Sequence, residues 1–344
     1  MGVDQKNAEK VLNKIRISKN INIVPSSPVD GDALGSGLAL KRILEKLGKN
    51  ATINYSFEHI SRFKFLPGFE FINVLDIYNL DLSKYDASIF LDGGSLVQFY
   101  DQATHPERLV LPIDNEIVNI DHHLTNEGFA GITLRRLDVS STAEIIYDLF
   151  KDQIEFDSEI GFNLLAGIST DTGNFRYSNS TAKTLMIAAD LIDRGVDLAK
   201  VALNLYYTTN EKVVKFVGYL CQKIVINRKY RYGYFTVTNK EWEGSGLGYE
   251  NYREAYHKAL EGNLKLIEEI DFAFNVTEKE PGNVKISFRS RESGKVDLLA
   301  IAQSLGGGGH PDACGANILN HTVENVLELV EKSVEDNYDR IIIK

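Results

Sequence analysis

Acidic and imidazole side chains recur at the ends of apolar runs in the first half of this sequence. Asn22-Ile23-Val24 leads into Val29-Asp30-Gly31-Asp32, Ser88–Leu91 stops at Asp92, and Ile117–Ile120 stops at Asp121-His122-His123. A fourth acid, Asp171, closes a helical run that begins at Leu164. Carboxylates gathered in one place repel, and protons neutralise them unless a cation compensates. An oxygen-rich set with one imidazole suits Mn2+ or Mg2+, and two such ions about 3.5–4 Å apart can clamp a phosphoryl group beside a nucleophilic water. Taken singly, these acids have a plainer explanation, since Asp30-Gly31-Asp32 is also a good turn signal. Taken together with adjacent histidines, they indicate a site.

The fold must gather these groups from distant parts of the chain. Strand-like runs are expected at 22–24, 51–56, 71–76, 87–91 and 116–120, alternating with amphipathic helices. One helix carries Leu40, Ile43, Leu44 and Leu47 on a single face and stops at Gly48. Others are expected over 157–168 and from Thr181, the latter with Leu185, Ala188, Ala189 and Ile192 on its inward face and Gly195 as its stop. This alternation predicts an α/β fold whose N-terminal domain is a doubly wound, mainly parallel sheet, with ligands outside the carboxyl ends of the strands. The stretch 196–217 is helical but polar and reads as a connector between a domain over 1–195 and one over 218–344. The second is expected to be a smaller α/β domain with a mixed sheet. It has β alternation over 223–239 turning near Asn227–Lys229, a helical segment over 252–267, strands at 271–276 and 283–288, and a helix over 323–334.

The chain has 344 residues, with 38 Lys and Arg against 48 Asp and Glu and a net charge of −10. That length suits two domains. Such an acid excess excludes a broad surface for long duplex nucleic acid but leaves room for a small phosphorylated ligand. The basic group Arg228, Lys229 and Arg231 reads as a solvated hairpin tip. No apolar run approaches the roughly 20 residues of a membrane span, so no membrane partner is expected. The charged N-terminus lacks the apolar core of a secretion signal. Cys221 and Cys314 lie outside any CxxC pattern, which excludes a disulfide framework and a thiolate zinc site. A cytoplasmic protein is expected, and the sequence leaves a homodimer open.

The Asp121-His122-His123 element resembles the signature of the DHH phosphoesterases. Asp30-Gly31-Asp32-Ala33-Leu34-Gly35-Ser36, Ser140-Ser141-Thr142-Ala143-Glu144 and Gly167–Gly173 agree with that family in order and spacing. Ser287–Ser290 followed by Gly306-Gly307-Gly308-Gly309-His310-Pro311 is similar to the DHH-associated C-terminal domain. The resemblance spans nearly the whole chain and is strongest to the two-domain oligoribonuclease and pAp-phosphatase branch. It implies one metal site of Asp32, Asp92, His122 and Asp171, and another of Asp30 and bridging Asp92 with a His four residues before Asp30. It implies His123 at the scissile phosphate as a catalytic group, Asp121 orienting the His pair, and Arg289, Gly307, Gly308, Gly309 and His310 as substrate ligands. The implied activity is metal-dependent hydrolysis of short single-stranded oligonucleotides or small nucleotides such as pAp, with two Mn2+ or Mg2+ ions. Cyclic or linear dinucleotide hydrolysis is the enzymatic alternative.

The chain departs from the family at several positions. Ser26 stands where the His ligand is expected, which weakens the first metal site and raises the alternative of a nucleotide-binding protein with impaired turnover. Gly93-Gly94 follows Asp92 where the family has a hydroxyl-bearing residue, and Asp312 and Cys314 replace small residues after the glycine run. His59, His105, His257 and His321 have no motif context and read as ordinary surface residues. Phe175 and Tyr177 follow Asp171 closely enough to border the site and stack a base.

Overall fold

The computed structural model describes residues 3–57, 60–100, 104–111 and 117–343, so position 116 of the expected strand and His59 lie outside the described residues. The chain forms two compact units, Met1–Thr208 and Thr209–Lys344. The first unit runs through α1 (Val3–Ile17), β1 (Asn20–Pro25), α2 (Gly31–Lys46), β2 (Asn50–Tyr55), β3 (Ile72–Val74), β4 (Ala87–Leu91), β5 (Ile117–Asp121) and β6 (Ile132–Arg135). It continues with α3 (Thr142–Phe150), α4 (Ser158–Asp171), α5 (Ala182–Asp193) and α6 (Leu198–Ala202), which passes into a π-helical turn at Leu203–Tyr207.

The strands form one parallel six-stranded sheet in the order β3-β2-β1-β4-β5-β6. The strand order reverses between β1 and β4, and such a reversal opens a crevice at the carboxyl ends of the two strands. Both faces are covered, so β4 and β5 are buried along their whole length. One face carries Ile23, Ile89 and Val118 against Leu34 and Leu40 of α2 and Leu164 of α4. The other carries Val24, Phe90 and Ile117 against Leu96, Phe99 and Tyr100 of the connecting segments. A row of amides also crosses the sheet, buried at Asn22 and Asn54 and exposed at Asn73. Asn54 donates to Asn22 at 2.7 Å, Asn73 donates to Asn54 at 3.2 Å, and Asn22 reaches Ser88 at 3.4 Å.

The inward face of α5 differs from expectation by one position. Thr184, Ile187, Ala188 and Leu191 are buried, whereas Leu185 and Ile192 are exposed. The helix is apolar on two adjacent faces, so periodicity alone did not set its phase. Short β6 escaped the sequence reading, since Ile-Thr-Leu-Arg has too few apolar residues to stand out.

The second unit comprises α7 (Glu211–Gln222), β7 (Val225–Asn227), β8 (Tyr232–Val237), α8 (Asn239–Ser245), α9 (Tyr249–Gly262), β9 (Phe272–Glu280) and β10 (Asn283–Ser290). It ends with α10 (Leu299–Ser304), β11 (Gly308–His310), β12 (Ala313–Leu319) and α11 (Val323–Ile341). Its six strands follow the order β11-β12-β10-β9-β8-β7, and a parallel β8–β9 pair among antiparallel neighbours makes the sheet mixed. Phe272, Phe274, Ile286 and Phe288 pack against Val326 and Val330 of α11 on one face. Phe235 and Ala273 face Phe216 of α7 and Tyr252 and Ala259 of α9 on the other. The stretch 196–217 gives α6 and the π-helical turn to the first unit and the start of α7 to the second. Among the described residues, no helix is long and apolar enough to cross a membrane.

Candidate metal centre

Asp30 follows β1 and caps α2, its Oδ1 accepting the N–H groups of Asp32 and Ala33 at 2.9 Å each. That cap sets the first turn of α2 and buries Asp32. The carboxylate of Asp32 in turn accepts the free N–H groups at the start of α3, from Thr142 at 2.6 Å and Ala143 at 2.8 Å. A helix N-terminus is where unpaired donors and the helix dipole favour negative charge.

Asp92 leaves β4 with a φ of 63°, in the left-handed region that aspartate tolerates better than most residues. Ser26 holds it there by donating its hydroxyl to the Asp92 carbonyl at 2.6 Å. Thr142 Oγ1 donates to Asp92 Oδ1 at 3.1 Å. The departure at Gly94 has a steric cause, because a Cβ there would stand 2.0 Å from the Thr125 carbonyl oxygen. His122 and His123 leave β5, and Asp171 ends α4.

Asp32, Asp92, His122 and Asp171 each offer a ligand atom within 4.8 Å of the others. His122 Nε2 lies 3.0 Å from Asp171 Oδ2, 3.3 Å from Asp92 Oδ1 and 4.0 Å from Asp32 Oδ2. It is nevertheless buried without a directed hydrogen bond. Three acids around one orphaned nitrogen, with no thiolate, are a donor set that fits a divalent cation of the Mn2+ or Mg2+ kind.

The electrostatics agree with that fit. Burial, then the charge of Asp171, pushes Asp32 up to about 7 and Asp30 up to about 6. Burial and Asp32 raise Asp92 well above the usual carboxylate range. Burial alone would lower His122, but Asp171 and Asp92 raise it to about 11. A bound cation would compensate the buried negative charge behind the raised carboxylates.

Among the described residues, no group able to surround one ion includes Asp30. Its carboxylate is committed to the cap, although it is close enough to Asp171 and His122 to feel their charge. Ser26 is directed at the Asp92 carbonyl. Its role, and that of Thr142, went unread in the sequence; the hydroxyl run Ser140-Ser141-Thr142 before a helix was the available signal. His123 is half-exposed, with Nδ1 2.7 Å from Asp121 Oδ1, a contact that raises its pKa. Asp121 is buried, and bonds from His123 and Asn126, the latter at 2.6 Å, hold it below the usual carboxylate range despite that burial.

Phe175 is partly buried, packing one side against the core of the first unit in a left-handed turn with Gly173 and Asn174, while Tyr177 is exposed. His105 is no ordinary surface residue: it stacks on Tyr78 at 4.0 Å and its Nε2 lies 2.9 Å from Asp76.

In the second unit, strand register places Arg289, Ala313 and His310 in one row across β10, β12 and β11, with Ser287, Gly315 and Gly308 in a neighbouring row. Gly307 is required by close approach, since a Cβ there would lie 2.0 Å from the Gly315 carbonyl oxygen. Gly308 and His310 are exposed. Arg289 donates Nε to Glu261 and Nη1 to the Phe288 carbonyl, the latter at 2.8 Å. The departures after the glycine run are structural. Asp312 accepts from Ser293 at 2.6 Å, and Cys314 is buried, its thiol pushed up to about 12 by desolvation.

Residues 20–168 match the DHH family, N-terminal domain, and residues 251–336 match the DHHA1 domain. The chain is 33% identical over 312 residues to the bifunctional oligoribonuclease and PAP phosphatase NrnA of Thermus thermophilus, a match covering 89% of this chain and 87% of that protein. Its fold is similar to the crystal structure of an exopolyphosphatase-related protein from Bacteroides fragilis, with a TM-score of 0.85, 23% identity and 97% of each chain covered. It is also similar to RecJ in complex with Mn2+ from Thermus thermophilus, with a TM-score of 0.54 and 14% identity, covering 99% of this chain and 55% of that one. With its motifs in family order and its acids and histidines at the carboxyl edge of a parallel sheet, the chain belongs to the DHH family of phosphoesterases.

Proposed function

We propose that this protein is a cytoplasmic, divalent-metal-dependent phosphoesterase that hydrolyses short oligoribonucleotides and small nucleotides such as pAp. Catalysis is assigned to a domain over 1–195 and ligand recognition to one over 218–344. The observation that carries the reading is the convergence of Asp32, Asp92, His122 and Asp171 beside a histidine aligned by Asp121.

Asp32, Asp92, His122 and Asp171 would hold the principal ion, Mn2+ or Mg2+, since an oxygen-rich set with one imidazole suits either. A divalent ion there supplies the positive charge that activates water and offsets the phosphoryl oxygens. A second ion would fall to Asp30 and Asp92, and it would be held more weakly because Asp30 Oδ1 caps a helix and Ser26 bonds the Asp92 backbone in place of offering a ligand. His123 keeps Nδ1 on Asp121, which leaves Nε2 to bind the substrate phosphate or to donate a proton to the leaving oxygen. Arg289, the backbone at Gly307–Gly309 and His310 recognise a further phosphate.

The choice of substrate follows the named activities of the Thermus relative. The test is hydrolysis of pAp, of short RNA and of cyclic dinucleotides by purified protein with Mn2+, together with bound-metal stoichiometry. Turnover of pAp and short RNA with at least one tight ion per chain is expected. Tight nucleotide binding without hydrolysis of any of the three would overturn the reading.

A further inference from the structure

Asp32 and Asp171 approach one another from different helices. Asp32 is tied to the first N–H groups of α3, so its place depends on where that helix starts. Asp171 ends α4, so its place depends on the exit of that helix. Something must fix these two helix ends relative to one another, because ligand positions in a metal site tolerate errors of only about 0.2 Å.

Ser140, just ahead of the Ser141 cap of α3, is held at all three of its polar atoms. Its N–H and hydroxyl donate to Glu144 Oε2 at 3.1 Å and 2.8 Å. Its carbonyl accepts from Asn179 Nδ2 at 3.1 Å. The same Asn179 nitrogen donates to the Asp171 carbonyl at 3.0 Å. One amide therefore bridges the segment that launches α3 and the last residue of α4. Glu144 is itself buried and anchored, accepting from Thr184 at 3.2 Å and lying 3.1 Å from Lys183 Nζ. Neither Asn179 nor Glu144 offers a ligand atom to the cluster, since Asn179 meets Asp171 only at its main-chain carbonyl, and the hydrolytic chemistry uses neither.

We propose that Asn179 is a positioning residue of the metal centre: by bonding the Ser140 and Asp171 carbonyls at once, it sets the separation of Asp32 from Asp171. Glu144 is the anchor that makes Ser140 a fixed point for this bridge. The amide suits the task because it supplies two donor hydrogens from one nitrogen, one for each carbonyl. The inference rests on reading Asp32 and Asp171 as ligands of one ion.

The test is Mn2+ binding by titration calorimetry to the full chain, comparing the parent protein with Asn179→Ala, Asn179→Ser and Asp171→Asn, and with metal-free melting measured in parallel. Loss of a group that orients metal ligands costs about 10–100-fold in affinity. Asn179→Ala is expected to weaken Mn2+ by about that factor while the metal-free protein remains folded at the assay temperature. Asn179→Ser, whose hydroxyl is too short to reach either carbonyl, is expected to weaken Mn2+ as the alanine variant does and serves as the test if that variant does not fold. Unchanged Mn2+ affinity in a folded Asn179 variant, with Asp171→Asn losing the ion, overturns the positioning role alone. Unchanged affinity in Asp171→Asn overturns the ligand reading and this inference with it.

Discussion

Removing a negative charge from the metal centre should make the metal-free protein more stable, and Asp92→Asn is the cleanest way to do so. The ligand atoms lie within 4.8 Å of one another, so each charged carboxylate pair repels by about 3.5 kcal/mol at an effective dielectric near 20. Asp92 meets this repulsion from both Asp32 and Asp171, and Asp30 adds to it, so the sum of the two pairs is a lower bound. Against it stands the attraction of His122 at 3.3 Å, worth about 5 kcal/mol on the same scale. The balance is unfavourable by about 2 kcal/mol before desolvation is added. Asparagine keeps a carbonyl oxygen for the Thr142 hydroxyl and tolerates the left-handed backbone. The expected gain of about 2 kcal/mol corresponds to a rise of roughly 4–8 °C in the melting of the first unit.

Differential scanning calorimetry in EDTA at pH 8, repeated with excess Mn2+, reads this directly. The parent protein should gain stability from the ion and the variant should not. The sign of the pH dependence is also determined. A carboxylate whose folded pKa is raised carries no penalty below its unfolded value and the full penalty above its folded one. The advantage of Asp92→Asn should therefore be absent in the ordinary carboxylate range and grow as pH rises above it. A variant less stable than the parent in EDTA at pH 8, or an advantage independent of pH, would refute the reasoning.

Ser26→Ala leaves the buried Asp92 carbonyl without its 2.6 Å partner, which should cost about 1–3 kcal/mol in denaturant unfolding and weaken Mn2+ in calorimetry. Gly94→Ala forces a Cβ to 2.0 Å from a backbone oxygen, so a loss of about 3 kcal/mol or more should appear in thermal melts. Burial opposes the charge on Glu241, but Lys223 at 2.5 Å, the Thr238 N–H and Tyr219 outweigh it and hold the acid at about 2. Its contribution, about 1–2 kcal/mol after solvent screening, is present above pH 4.5 and lost as pH falls toward 2, and Glu241→Gln should flatten that limb of a pH–stability curve. Each two-donor edge of the Arg289 guanidinium already has one donor engaged, by Glu261 or by the Phe288 carbonyl. Glu261→Gln should therefore tighten binding of a 5′-phosphorylated dinucleotide in EDTA by about fivefold, seen by calorimetry, because it removes an internal competitor.

The middle of the parallel sheet was legible because β1, β4 and β5 announce themselves twice, as apolar runs and by the acids that end or follow them. The expected run 87–91 coincides with β4, and Asp92 follows it directly. Less legible was anything set by contacts distant in sequence. The partnership of Ser26 with the Asp92 carbonyl cannot be inferred from Pro25-Ser26-Ser27-Pro28, and Glu261 gives no local sign that it faces Arg289. Asp30 shows how two readings can share one residue. Its turn-forming character is realised as the cap of α2, while its charge still reaches Asp171 and His122. β11 and β12 were missed because Gly308-Gly309 and Gly315 give no β signal, although close backbone approach is what those strands need.

The row of amides from Asn73 through Asn54 and Asn22 toward Ser88 acts as a ruler. A strand that slipped by one residue would turn its side chains to the opposite face and carry its end about 3.3 Å along its axis. That step exceeds by an order of magnitude the error of about 0.2 Å that a coordination shell accepts. Because these amides bond only when β1, β2, β3 and β4 are aligned as observed, a slip would strand buried polar groups without partners. Residues outside the ligand cluster thus meter where Asp92 is delivered at the end of β4.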